Sequence, residues 1–492
     1  MRTFFPDSRP ARAWLISALI AALSVLLVAS GQAQESTLPS IGGAGGGLIS
    51  EQQEAEIGRE VMASIRRSAP QVTDPLVYDY LHDVIYRLVP SAPLKNRDLT
   101  LAIIDSPDIN AFAVPGSIVG INGGLVLNAS SEQQFASVLA HELAHLSQRH
   151  FARRMQQQET SAPLTIAGML AGIVLSAVTQ SDIGIAAIVG TQALSIQNML
   201  AYSRAHEQEA DRVGMDILAD AGMDPRGMPA MFEIMMKNNR LQGNRLPEYL
   251  STHPLTQSRV SDSRNRAEQY PVRDDIQDTQ EYHLIRSRLQ VHYSRSAKEA
   301  VETFKDYLDR PDVQKTDAIR YGLAVAHLRD DDPDSAVAVL NTLLENNPRR
   351  ITYVVTLAEA LVDQGKLDQA RSRLREALDR NPGNYSITFW LAQVETADGN
   401  GEAAAEHLKR LTRERPRQEH LWNRLAEAEG MARNIVGVHR AKAEYEALMG
   451  DLEAAQRQLR QAQEKLPAGA PMRQIVTERL AEITDRLNTR RS

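Results

Sequence analysis

Three prolines, Pro348, Pro382 and Pro416, stand 34 residues apart. The pairs Leu323-Ala324, Leu357-Ala358, Leu391-Ala392 and Leu425-Ala426 keep the same phase, as do Ala336, Ala370 and Ala404. Small residues at fixed points let two antiparallel helices approach closely. A 34-residue period is that of the tetratricopeptide repeat, a helix pair that buries its apolar face only by stacking on its neighbours. The spacing therefore predicts an α-solenoid over 280–492. Pro467, with Ala455 and Leu459, continues the pattern after an insertion of 17 residues, and a looser pair covers about Tyr282 to Leu308.

The repeats fill less than half of the 492 residues, so at least one further domain precedes them. A net charge of −7 argues against a nucleic-acid partner, which would need a strongly basic face. Arg2, Arg9 and Arg12 lead into an apolar run from Ala13 to Ala29, then small residues through Gly31 and Ala33. That order predicts a secretory signal peptide over 1–33, cleaved after Ala33, and work outside the cytoplasm, in the periplasm; an uncleaved anchor helix is the competing reading. Residues 34–50 read as a glycine-rich linker.

From Glu51 to about Val89 the period is helical, broken at Pro70 and Pro75. Leu99–Asp105, Asn110–Val114 and Ser117–Ile121 are short β-type runs, read as a small, mostly antiparallel sheet. Ser130, with Gln133 three positions on, predicts a cap for a helix running past His150. Residues 163–200 are strongly apolar but interrupted by Thr179-Gln180-Ser181-Asp182, and neither half reaches the ~20 residues of a bilayer span. A buried helical hairpin, or a surface touching lipid or substrate, is expected there. A further helix covers about Tyr202 to Ala221. Residues 271–279 read as a joint, leaving 51–270 as one domain.

The chemistry lies in that domain. His141-Glu142-Leu143-Ala144-His145 is an H-E-x-x-H pattern. On a helix its histidines lie about 40° apart, one turn from each other, so both imidazoles reach one metal ion. Glu142 sits where it leans over the reacting water instead of binding the metal. Phe135, Leu139, Leu143 and Leu146 form the opposite, buried face. The chain has no cysteine, so its metal must be held by histidine and carboxylate. On the helix Ser203–Asp211, Glu207 shares the packed face with Asp211, Gly214 and Leu218, whereas Glu209 falls with Asp216 and Asp220 on a face read as solvent. Glu207 is thus the expected third ligand, with Asp211 one turn below supporting the site. The fold expected is mainly α: a gluzincin-like metallopeptidase domain with a small antiparallel sheet, then the solenoid.

Asn110-Ala111-Phe112-Ala113, the H-E-x-x-H with Ser131-Glu132 and Ala136–Ala140 before it, and the S-R-x-x-E-x-x-A-D of Ser203–Asp211 together resemble the peptidase family of HtpX and the CAAX prenyl proteases, over roughly residues 50–270. With the leader and the repeats, the chain resembles the periplasmic BepA-type branch of that family. The resemblance implies one zinc ion on His141, His145 and Glu207, Glu142 as general base, and Asp211 as an acidic partner sometimes assigned as proton donor. It also implies unfolded or misassembled protein substrates, and quality control of outer-membrane protein assembly, both chaperone-like and degradative, with the assembly machinery docking on the repeats. His253, in Ser251-Thr252-His253-Pro254, matches a family position that closes on the metal as a fourth ligand; from spacing alone it is an ordinary loop histidine. Ser117 departs from relatives that carry a second glycine after Pro115-Gly116. The strand pattern suggests that an extended peptide adds along the edge at 110–121, Asn110–Ala113 first. Two rivals remain: a non-enzymatic repeat-based adaptor with a closed or structural metal site, and an intramembrane protease in which 163–200 spans the bilayer.

Overall fold

Capping and proline placement set the first elements. In the computed structural model, residues 49–157, 203–241, 248–272, 278–311 and 316–491 are described. The expected leader, nearly all of the glycine linker, the apolar segment 163–200 and most of the joint lie outside them. Helix α1 (Glu51–Ser68) starts at a capping box in which Ser50 and Gln53 satisfy each other's backbone N–H. Helix α2 (Pro75–Leu88) has proline at its first position and Asp74 accepting from the amides of Leu76 and Val77. Strands β1 (Thr100–Ile104), β2 (Ala111–Val114) and β3 (Ile118–Asn122) follow, then α3 (Gly123–Asn128), α4 (Glu132–Ser147) and α5 (His150–Gln157). Helices α6 (Arg204–Asp220), α7 (Gly227–Leu241), α8 (Glu248–Thr252) and α9 (Gln257–Ala267) complete this part.

The sheet is mixed. Its order is β1-β3-β2, with β2 antiparallel to β3 as expected but β1 parallel to β3. Only Pro115-Gly116-Ser117 is a tight turn. The β1–β2 connection instead crosses the end of β3, and there the backbone of Gly124 lies so close to Pro107 that a Cβ would stand 2.0 Å from its carbonyl oxygen. Gly116 (φ 84°) and Ser117 (φ 61°) both adopt the left-handed conformation. That explains why a second glycine would suit position 117. The result places β2 at the edge, packed beside α4.

Helix α4 begins one residue later than expected: Ser131, not Ser130, is the cap and accepts from the Gln134 amide. It also ends sooner. Arg149 takes φ 49°, and the chain turns before His150 opens α5, so no single helix runs past His150.

The remaining chain is a stack of antiparallel helix pairs. It starts at α10 (Gln280–Tyr293) with Ala297–Asp309 and proceeds through Thr316–Arg329 with Pro333–Asn346, Ile351–Asp363 with Leu367–Arg380, and Tyr385–Ala397 with Gly401–Glu414. Glu419–Met431 with Ile435–Met449, and Leu452–Glu464 with Pro471–Arg491, close the stack. The phased residues Ala324, Ala336, Ala358, Ala370, Ala392 and Ala404 are fully buried, as close packing of the pairs requires.

The two parts share one core. A continuous apolar cluster runs from Leu76 through Phe135 and Leu139 to Tyr282, Tyr321 and Leu391. Tyr282 of α10 donates its hydroxyl towards the carbonyls of Val126 and Ala129, at 2.9 and 2.7 Å. Arg66 of α1 pairs with Glu419 at 2.9 Å, and Arg415 pairs with Asp79 while lying 4.0 Å over the Tyr385 ring. Buried Arg288 joins Asp74, the cap of α2, to Glu359 of the repeats at 2.5 and 2.8 Å. Replacing Arg288 with methionine leaves both carboxylates without their cation. A loss of about 3 kcal/mol is expected, at the low end for a broken buried pair because both acids keep some solvent contact. Urea denaturation checks it: a midpoint within error of wild type would show the bridge to be neutral. Among the described residues, no helix is long and apolar enough to cross a membrane.

Candidate metal centre

The i, i+4 spacing on α4 places the His141 and His145 imidazoles on one face, with their Nε2 atoms 3.0 Å apart. Helix α6 packs against α4, and Gly214 permits this approach: a Cβ there would stand 3.2 Å from the His141 amide nitrogen. The packing brings Glu207 Oε1 to 3.4 Å from His145 Nε2, and its other oxygen to 3.6 Å from His141 Nε2. Short α8, stopped by Pro254, carries His253 into the same space, where its Nδ1 lies 3.1 Å from Glu207 Oε1 and 3.4 Å from His141 Nε2. All four residues are buried.

The donor set fits a metal ion. Donor atoms on a tetrahedron with bonds near 2.0–2.1 Å stand about 3.4 Å apart. Five contacts within the set, 3.0–3.6 Å long, bracket that value. Four nitrogen and oxygen donors, with no sulfur, are a set that zinc accepts readily. Burial pulls the His145 imidazole well below its usual pKa, against the pull of Glu207, so it stays neutral with a lone pair to give. Burial alone would raise Glu207, but His253, His145 and Arg259 outweigh it and hold the carboxyl well below its ordinary value.

Glu142 lies beside this set and outside it. It is fully buried, yet neither carboxylate oxygen makes a hydrogen bond among the described residues. His253 Nε2 lies 3.5 Å from its Oε1. A carboxylate in such a place is costly unless something absent from the chain itself is its partner.

An outer layer orients the ligands. Asp211 Oδ1 stands 3.0 Å from His141 Nδ1, and the Arg259 guanidinium grips the carboxylate at Oδ1 (2.7 Å) and Oδ2 (2.8 Å). Burial opposes ionisation of Asp211, but Arg259 and His141 hold its pKa below the ordinary value. Arg259 also reaches Glu207 Oε2 at 2.6 Å and lies 5.1 Å over the Phe232 ring. Tyr249 stacks on His253 with ring centroids 4.6 Å apart.

Sequence reasoning missed Arg259, Tyr249 and His150, and it read Glu209 as solvent-facing. Glu209 is instead half-buried, bound to His150 and Arg153. A cue existed for Arg259 in its polar helix, Gln257–Ala267, directly after the His253 loop, but nothing local shows that it folds back onto α6. Of the proposed edge strand, Ala111, Phe112 and Ala113 lie in β2, and Asn110 precedes it with its carbonyl accepting from the Asn122 amide.

Comparison with known proteins gives this geometry its context. The model of peptidase family M48 matches residues 75–267, and tetratricopeptide-repeat models match 293–351 and 355–419. The beta-barrel assembly-enhancing protease of Escherichia coli K12 is 34% identical over 93% of this chain and 93% of its own. The chain belongs to that family. The putative beta-barrel assembly-enhancing protease of Vibrio cholerae is also 34% identical, over 88% of this chain and 89% of that one. The mitochondrial metalloendopeptidase OMA1 of Bos taurus is 34% identical over 31% of this chain. The protein is accordingly a metalloendopeptidase with protein partners or substrates, and His141, His145, Glu207 and His253 are its candidate metal site.

Proposed function

We propose that the protein is a zinc-dependent endopeptidase of the periplasm that cleaves misassembled or unfolded proteins during β-barrel assembly, with chaperone-like holding by its repeats. The observation that carries the reading is the set of four buried donors, their ligand atoms within 4.8 Å of one another, beside a carboxylate without a hydrogen bond, Glu142. The basic, apolar and small-residue order of the first 33 residues supports the location. The similarity to beta-barrel assembly-enhancing proteases supports the biological setting.

His141, His145 and Glu207 would hold a zinc ion, which would supply Lewis-acid polarisation of the scissile carbonyl and of the attacking water. Glu142 accepts a proton from that water as the new C–O bond forms, then delivers it to the amine nitrogen as the C–N bond breaks. Asp211, its Oδ1 3.0 Å from His141 Nδ1, braces that ring. The proton-donor role attached to it by resemblance would require a protonated carboxyl, and Arg259 disfavours that form. The β2 edge receives the substrate as an added strand, because β2 is the outer strand and packs beside α4. A cavity of about 610 Å³, bounded by α1, the β2–β3 turn and the repeats, reaches His145 and offers a longer path for polypeptide. His253, its Nδ1 3.1 Å from Glu207 Oε1, would occupy the position that water needs and so would hold the resting enzyme latent.

Metal removal tests the reading. Dialysis against 1,10-phenanthroline should abolish cleavage of casein, and one equivalent of zinc per chain should restore it. Cleavage that survives with no metal left in the protein would refute it.

A further inference from the structure

In an unbroken helix His150 would lie about 140° round from His145 and could not touch it. The left-handed turn at Arg149 changes this. It starts α5 at His150 and swings that ring back, so that His150 Nδ1 lies 2.9 Å from His145 Nδ1. On its other side His150 Nε2 lies 3.2 Å from Glu209 Oε2, and Arg153 holds the same oxygen at 3.0 Å. The His206 ring stacks on His150 at 4.5 Å and 14°, fixing its plane. His150 is fully buried.

We infer that His150 is a positioning residue for the metal centre, holding His145 in the tautomer and ring orientation that present Nε2 to the ion. The assignment rests on the metal-site reading above. Only one pattern of hydrogens satisfies this chain of contacts. His145 Nε2 faces the donor set, so its Nδ1 carries the hydrogen and donates to His150 Nδ1. His150 then carries its hydrogen on Nε2 and donates to Glu209, whose charge Arg153 balances. The two ligand imidazoles are thus supported differently: His141 by the Asp211 carboxylate directly, His145 by a neutral imidazole that relays a carboxylate. Each chain ends on an arginine, Arg259 for one and Arg153 for the other. A left-handed non-glycine residue is strained, and such strain persists where the surroundings hold it in place. Here Arg149 is anchored by its ion pair with Glu54 at 3.0 Å.

The test is metal affinity, read on the full chain by zinc titration against a chromophoric chelator, with the visible spectrum of the cobalt form as a second readout. His150→Phe, which keeps the ring but has no nitrogen, should weaken zinc binding about 10–100-fold, the usual effect of losing an outer-shell partner. His150→Asn, whose Oδ1 falls near the Nδ1 position, should recover part of that loss. Glu209→Gln should weaken binding several-fold and alter the cobalt spectrum. Wild-type affinity in His150→Phe overturns the assignment. Should the His150 variants not fold, as judged by circular dichroism, Glu209→Gln decides: unchanged affinity and an unchanged cobalt spectrum overturn it. A wild-type chain that binds neither ion overturns the peptidase reading as well, whereas normal wild-type uptake with unaltered variants removes this role alone.

Discussion

Replacing Glu142 with glutamine should lower proteolysis about a thousandfold, within the range for loss of a general base, while the metal content stays at the wild-type level. The substitution keeps the shape and volume of the side chain and removes only its capacity to take a proton. Glu142 is not among the four clustered donors, so metal binding has no reason to change. Folding should not suffer either. A buried carboxylate without a hydrogen bond destabilises its surroundings, and the neutral amide relieves that cost. The expected signature is therefore lost cleavage, full metal and an equal or higher melting temperature. Retained cleavage would show that the proton leaves by another route. Metal lost together with activity would make Glu142 a ligand.

His253→Ala should raise proteolysis of casein about tenfold, the factor expected if only about a tenth of the molecules have His253 withdrawn from the fourth position. The geometry argues for withdrawal and against permanent ligation. His253 stands at the end of a five-residue helix, just before Pro254, and Tyr249 supports its ring by stacking. Glu207, by contrast, is fixed on a 17-residue helix packed along α4. A short element gives up fewer contacts when it moves, so His253 is the ligand with least to lose. Zinc affinity should fall at the same time, because one of four donors is gone. If kcat falls instead while the metal stays, His253 belongs to the working machinery and does not gate it. That result would leave the roles of His141, His145 and Glu207 intact.

Much of the centre follows from features that act over a few residues. The four-residue step from His141 to His145 places two imidazoles on one helical face whatever surrounds the helix. The step from Glu207 to Asp211 does the same on α6, which is why the one can face the donor set while the other braces His141. Repeat phase works similarly: alanines 34 residues apart mark close helix contacts because each pair packs on the next by the same operation. Strand direction was less legible. The short β-type run at β1 shows a strand but not its partner, and the parallel pairing of β1 with β3 depends on where the β1–β2 connection crosses.

What the sequence by itself determined is the set of local faces: the metal-binding face of α4, the packed face of α6, the solenoid period, and a strand pair at 110–121, of which only β2 lies at the edge. Only the tertiary structure decided that Arg259 returns to grip Asp211 and Glu207, that His253 enters the donor set, and that Glu209 turns from a solvent position into the partner of His150. The reason is physical. Helical and strand periods fix which side chains share a face within one element, whereas the meeting of α4, α6, α8 and α9 depends on packing between elements far apart in sequence and on one left-handed residue, Arg149. Neither leaves a period in the chain.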